Sequence, residues 1–149
     1  NKVNIYTPNE ITNKKIVNFS SKELYTQKNV SFSDILLDNK FTIVNIWSSW
    51  CLPCRDEHKY LIKLGQKNNL NMVGINYKDD PTNAKKFIDQ FGNPFSLILI
   101  DKDGTIAIEL GAYGIPETFI INNLEKKIIK KYIGPINDEN FNDILNLIK

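Results

Sequence analysis

The chain has 149 residues, 42% of them hydrophobic, enough for one domain with a real core. Nineteen basic and 17 acidic side chains leave a net charge of +2. There is no basic cluster or interleaved aromatic stripe, so nucleic acid is excluded as an expected partner. No apolar run approaches the ~20 residues of a membrane span. With no initiator methionine and a polar, irregular start over residues 1–15, a processed soluble piece is expected, its signal or anchor lying upstream.

Residues 1–14, which include Pro8, read as an arm, and residues 15–149 as one domain without internal repeats or low-complexity linkers. Residues 15–20 and 29–32 flank a polar middle and suggest a hairpin in front of the core. Ser31 or Ser33 is placed to cap a short helix through Ile35, Leu36 and Leu37. Residues 41–47, apolar and β-branched, read as a buried strand, followed by a helical pattern to about residue 67. A strand over 71–76 leads through a loop into a helix over 81–91, which Gly92 and Pro94 end. A strand over 96–100, a turn over 101–104 and an extended stretch over 105–110 come next. After a Gly-x-Pro turn come a strand over 118–121, a return strand over 126–133 and a closing helix over 137–148. Strands alternating with helices predict an α/β fold, a mixed sheet with helices on both faces and an N-terminal hairpin extension.

The chemistry concentrates after the strand at 41–47. Trp50-Cys51-Leu52-Pro53-Cys54-Arg55-Asp56-Glu57-His58 holds both cysteines, the only histidine and one of two tryptophans. A Cys-x-x-Cys at a strand-to-helix junction is a thioredoxin-like redox motif. The spacing sets both sulfurs on one side of the first helical turn, where free N–H groups and the helix dipole favour a thiolate. Cys51, at the start, is expected to be the exposed nucleophile of low pKa. Cys54, one turn in, is expected to be the deeper, resolving thiol. Pro53 suits the first turn, where it needs no N–H partner.

Plainer readings fit less well. A structural disulfide across two residues closes too small a loop to stabilise much. A zinc site wants four ligands, and Cys51, Cys54 and His58 supply at most three. Attachment of c-type haem needs histidine directly after the second cysteine, where Arg55 stands. No resident metal or cofactor is expected.

The helix carries a second signal. At ~100° per residue, Arg55, Asp56, Lys59, Lys63, Gln66 and Lys67 fill one arc, and Tyr60, Leu61 and Leu64 the facing one. Glu57 lies in the middle of the apolar arc, one turn beyond Cys54. It reads as a proton acceptor for Cys54 or, more plainly, as a charge complementing the helix dipole. His58 falls at the edge between the arcs and reads as a partly exposed surface histidine. Farther on, the Gly-x-Pro turn over 111–117 precedes a buried strand at an X-Pro bond, where cis is accessible. Sequence spacing alone does not bring this turn to Cys51.

Four stretches together resemble a known family: Trp50-Cys-x-Pro-Cys-Arg-x-Glu-His58, Gly74-Ile-Asn-Tyr-Lys-Asp-Asp80, Gly92-Asn-Pro-Phe95 and Gly111-x-Tyr-Gly-x-Pro-Glu-Thr-Phe-Ile120. They are similar to the membrane-anchored thiol:disulfide interchange proteins of bacterial cytochrome c maturation, the CcmG/DsbE type of TlpA-like thioredoxins. The resemblance spans about residues 41–133. It implies that Pro116 is a cis-proline packed against the Cys51–Cys54 pair. Tyr113, Gly114 and Glu117 would line a substrate groove, with Trp50 and Ile115 also binding substrate. Glu57 would be the acidic group beneath the active site. Asn45 occupies the strand position where ordinary thioredoxins place a buried aspartate, which makes Glu57 its candidate replacement. Leu52-Pro53 is a pair that varies within the family and leaves the redox potential open.

The resemblance further implies a periplasmic dithiol reductase held to the inner membrane by a segment outside this chain. Its substrate would be the Cys-x-x-Cys-His haem-binding site of apocytochrome c, or a mixed disulfide with a maturation partner protein. A membrane thiol-transfer reductase would return the electrons. The rivals are a general disulfide oxidase, separable by its reduction potential, and a copper or zinc chaperone on the same fold. Such a chaperone needs a distant histidine, and this chain has only His58.

Overall fold

The computed structural model describes residues 13–37 and 39–149, so residues 1–12 of the expected arm lie outside the described chain. β1 (Lys14–Lys15) runs antiparallel to residues 127–128 of a much later strand. β2 (Ser20–Lys22) and β3 (Asn29–Ser31) pair as an antiparallel hairpin. The predicted hairpin is therefore present with its first strand displaced: residues 14–15 join the main sheet, and pairing with β3 starts at Ser20. α1 (Phe32–Ile35) follows. Ser31 holds its cap position, yet it is the Asn18 side chain that accepts the Ser33 N–H, at 2.8 Å.

Next come β4 (Phe41–Trp47), α2 (Leu52–Leu64), β5 (Leu70–Tyr77), α3 (Pro81–Phe91), β6 (Leu97–Asp101) and α4 (Thr105–Leu110). β7 (Glu117–Asn122), β8 (Lys127–Ile133) and α5 (Asp138–Leu147) complete the chain. The elements predicted beyond residue 41 appear within a few residues of their expected limits, except one. Residues 105–110, expected to be extended, form α4. The cause is Asp101, whose buried carboxylate accepts the N–H groups of Ile106 at 3.0 Å and Ala107 at 2.9 Å. Asp103 likewise accepts from the Thr105 N–H and hydroxyl. These are the donors that a helix start leaves without partners. Once the stretch is helical, Ile106, Ala107 and Leu110 share a buried face, and Ile108 is left exposed.

Among the described residues the main sheet has six strands in the order β1-β8-β7-β4-β5-β6. β4 pairs parallel with β5, and β5 with β6; the other pairings are antiparallel. Successive strand residues point to opposite faces, and β4 is buried on both. On one face Ile43 and Trp47 share a core with Leu61 and Leu64 of α2, Phe87 of α3 and Ile144 of α5. On the other, Val44 and Ile46 share one with Phe32 of α1 and Ile106 and Leu110 of α4. This is a thioredoxin-like mixed sheet with helices on both faces. The hairpin docks on its β6 edge, where the Leu24 N–H donates to the Ile98 carbonyl at 2.8 Å.

Packing accounts for one of the sequence motifs. A Cβ on Gly74 would lie 2.8 Å from Trp47 Nε1 and 2.9 Å from the Phe95 ring. Glycine there lets Trp47 and Phe95 stack, ring centres 6.0 Å apart, at the end of the strand that leads to Cys51. Among the described residues no helix is long and apolar enough to cross a membrane.

Candidate active site

Cys51 is the cap residue of α2, with extended backbone (φ −97°, ψ 108°) that turns its side chain back onto the helix start. Its Sγ accepts the Cys54 N–H at 3.2 Å. A thiolate formed there has a backbone donor and the positive end of the dipole to hold its charge. Pro53 lies in the first turn, as expected. The Cα atoms of Cys51 and Cys54 are 5.3 Å apart and the sulfurs are joined in a disulfide. Cys54 is 1% exposed and Cys51 6%. The order of depth matches the prediction, but the open exposure expected of Cys51 does not. Its neighbours take the solvent-facing positions, Trp50 at 59% and Leu52 at 63% exposure. Cys51 is thus flanked by two exposed apolar side chains.

Glu57 is fully enclosed on the buried face of α2, as the helical arc predicts. It lies three residues beyond Cys54, a spacing that makes side chains neighbours on a helix. Asn45, in the middle of β4, donates from Nδ2 to Glu57 Oε2 at 2.8 Å and to Thr118 Oγ1 at 3.1 Å. The Ile136 N–H donates to Glu57 Oε1 at 3.0 Å. Burial pushes the Glu57 carboxyl up from 4.5 to about 7, against these two hydrogen bonds, which favour the ionised form. Such a group exchanges its proton near neutrality, which suits an acceptor beside the inner thiol.

His58 departs from its expected surface position. It is 5% exposed, its Nε2 donates to the Gly92 carbonyl at 2.8 Å, and the Phe87 ring lies edge-on with centroids 5.2 Å apart. α3 covers this edge of α2, and a wheel drawn for α2 alone carries no trace of that. Burial lowers the His58 pKa, partly opposed by the bond to Gly92.

The Gly-x-Pro turn reaches the site through strand register. Ile46, next to last in β4, pairs with Glu117, so the turn before β7 lies at the same end of the sheet as the chain leading to Cys51. The Ile115–Pro116 bond is cis, in agreement with the resemblance. Tyr113 is 74% exposed, Gly114 has open space around it, Ile115 is partly buried and Pro116 is buried. Trp50 just before α2, Leu52 at its first position and Tyr113 from the later turn thus present apolar surface at one end of the sheet.

Glu117 is placed differently from the groove-lining residue expected. It is 1% exposed, and its Oε2 accepts the N–H groups of Tyr113 at 2.7 Å and Gly114 at 2.9 Å. Lys131 Nζ lies 3.8 Å from the other oxygen, donates to the Gly111 carbonyl at 2.7 Å and sits 4.2 Å from the Tyr113 ring centre. The carboxylate therefore lies behind the turn and holds its shape. Burial raises its pKa, opposed by the Tyr113 N–H and by Lys131. Sequence reasoning missed Lys131, since spacing does not tell which lysine of β8 folds over a turn formed some twenty residues earlier.

These elements set a Cys-x-x-Cys disulfide at a helix cap, a sulfur pair whose chemistry suits thiol–disulfide exchange. The Redoxin family matches residues 11–148. The thiol:disulfide interchange protein CycY of Rhizobium leguminosarum bv. viciae is 45% identical over 105 residues, 70% of this chain and 56% of that protein. The thiol:disulfide interchange protein DsbE of Pseudomonas fluorescens biotype C is 38% identical over 139 residues, 93% of this chain and 75% of that one. The chain belongs to the redoxin family and, within it, to the thiol:disulfide interchange proteins of the DsbE/CycY type. It spans little more than half the length of the first relative and three quarters of the second. A DsbF homologue from Corynebacterium diphtheriae shares the fold, with a TM-score of 0.80 over 95% of this chain and 93% of that one, at 18% identity.

Proposed function

We propose that the protein is a periplasmic dithiol reductase of cytochrome c biogenesis. Its substrate is the disulfide of the haem-binding Cys-x-x-Cys-His segment of apocytochrome c, or the mixed disulfide of that segment with a maturation partner. A membrane thiol-transfer reductase recharges it. The observation that carries the reading is Cys51 Sγ at the cap of α2, with Glu57 enclosed one turn beyond Cys54. The names of the relatives support the exchange chemistry, and the periplasm is a compartment in which disulfides persist.

In the reduced protein, the Cys51 thiolate attacks one sulfur of the substrate disulfide. A Cys51–substrate bond forms and the other substrate sulfur leaves as a thiolate. Cys54 gives its proton to the Glu57 carboxylate and attacks Cys51 Sγ, which closes the Cys51–Cys54 disulfide and releases the second substrate thiolate. The substrate gains two electrons and the protein loses two, restored by a dithiol donor.

Cys54→Ser should accumulate covalent complexes with an oxidised Cys-x-x-Cys-His peptide, and Cys51→Ser should form none. Trapping by the Cys51 variant would reverse the order of attack. A reduction potential near that of thioredoxin supports the reducing direction, and one near that of the oxidant DsbA overturns it.

A further inference from the structure

The stretch Asn76-Tyr77-Lys78-Asp79-Asp80 takes no part in the exchange steps. β5 ends at Tyr77, and Asn76 pairs with Trp47 at the end of β4, so this loop leaves the sheet beside residues 48–50. Lys78 has a φ of 45°, a left-handed conformation uncommon outside glycine. The Asp79 carboxylate that follows takes four donors. Its Oδ2 accepts the Ser49 N–H at 2.7 Å and Asn76 Nδ2 at 3.0 Å. Its Oδ1 accepts the Ser49 hydroxyl at 2.8 Å and the Asp80 N–H at 2.9 Å. One residue further along, Trp50 Nε1 donates to the Lys78 carbonyl at 3.0 Å, and the Trp50 and Tyr77 rings lie 6.5 Å apart.

The loop thus grips two consecutive residues, Ser49 and Trp50, immediately before Cys51. Hydrogen bonds to a carboxylate are the stronger kind. Trp50 is 59% exposed, so packing alone does not hold its ring; the Lys78 carbonyl does, and Asp79 sets where that carbonyl stands relative to Ser49.

We propose that Asp79 is a positioning residue for substrate binding. Through Ser49 and the Lys78 carbonyl it fixes the Trp50 indole as a wall against which a disulfide-bearing peptide docks beside Cys51. A ring already in place binds without the cost of ordering it at each encounter. The inference rests on the thiol:disulfide reading of the site and adds to it that the loop after β5 governs peptide affinity more than exchange chemistry.

The test compares two substrates, an oxidised Cys-x-x-Cys-His peptide and hydroxyethyl disulfide, which is too small to need the wall. Asp79→Asn should raise KM for the peptide roughly five- to tenfold, the size of about one ordinary hydrogen bond, since the loss reaches the peptide only through the Trp50 ring. Its kcat, and the rate with hydroxyethyl disulfide, should change much less. Trp50→Ala should raise the peptide KM similarly, and adding Asp79→Asn to it should raise KM no further, because both act through one ring. Ser49→Ala removes one contact and leaves the backbone intact. It should give a smaller rise in the same direction, and it serves as the test if Asp79→Asn fails to fold. Multiplying effects of Asp79→Asn and Trp50→Ala, equal losses toward both substrates, or an unchanged peptide KM in Ser49→Ala would each overturn the inference. A wild-type protein inert toward both disulfides would show instead that the exchange reading itself is wrong, and the inference would fall with it.

Discussion

A carboxylate enclosed on the buried face of a helix is poor at keeping its charge, and among the described residues Glu57 is helped to keep it by Asn45 and the Ile136 N–H. Its pKa is raised from 4.5 to about 7. The stability tied to this group is therefore complete below the ordinary value and is lost as pH rises through the folded one. At about 1.4 kcal/mol per tenfold change in proton affinity, the loss is on the order of 3 kcal/mol. Glu57→Gln stays neutral and should be more stable than wild type at pH 8, by up to roughly that amount. At pH 4.5 the two should differ little. Among the described residues Asn45 Oδ1 has no hydrogen-bond partner, so a turned-over Asn45 amide has an acceptor ready for the new N–H. The same variant should release substrate from a Cys51 mixed disulfide more slowly, because Cys54 loses its proton acceptor. Denaturation midpoints at both pH values, together with the release rate, check this. A variant less stable at pH 8 and equally fast in release would reduce Glu57 to a structural acceptor.

At the scale of the element, acidic side chains organise loops. Asp101 starts α4, Asp79 holds the turn before Cys51, Glu117 holds the turn before β7, and Glu23 accepts the N–H groups of Tyr25 and Thr26 in the hairpin. In each case a short side chain satisfies backbone donors that the sheet leaves unpaired, which is costly to undo where the group is buried. Asp101→Ala strips two such N–H groups from the first turn of α4. It should destabilise the protein by about 1–3 kcal/mol and speed amide exchange at Ile106 and Ala107. Unchanged exchange at those amides would mean that α4 is held by its buried face alone.

For the whole molecule, two enclosed groups pull stability in opposite directions as pH changes. The His58 pKa is lowered by burial, so its contribution is present above the ordinary value of 6.5 and is lost as pH falls through the folded one. Glu57 acts the other way, and Glu117, also raised by burial, shares its sign. Denaturation midpoints should therefore fall as pH rises toward about 7 through Glu57, with His58 opposing that fall below pH 6.5. His58→Gln keeps a donor for the Gly92 carbonyl and removes the titration, so it should steepen the fall below pH 6.5 and leave the course above it unchanged. A wild-type midpoint that climbs steadily to about pH 9 would contradict this assignment of signs.

The sequence by itself determined what acts within a few residues. The apolar run of β4, the Cys51 cap, Pro53 in the first turn and Glu57 on the buried arc of α2 all follow from strand and helix periodicity and from the donors of a helix start. Tertiary structure decided what depends on which distant segments meet. His58 is buried because α3 lies over it, which the wheel of α2 does not contain. Residues 105–110 are helical because a carboxylate on the preceding strand turns onto their first N–H groups. The cis-Pro116 turn stands at the same end of the sheet as Cys51 because Ile46 pairs with Glu117, and Lys131 stands behind that turn because β8 lies alongside β7. Spacing along a chain sets the direction of a side chain relative to its own element; the order and register of strands set what that side chain meets.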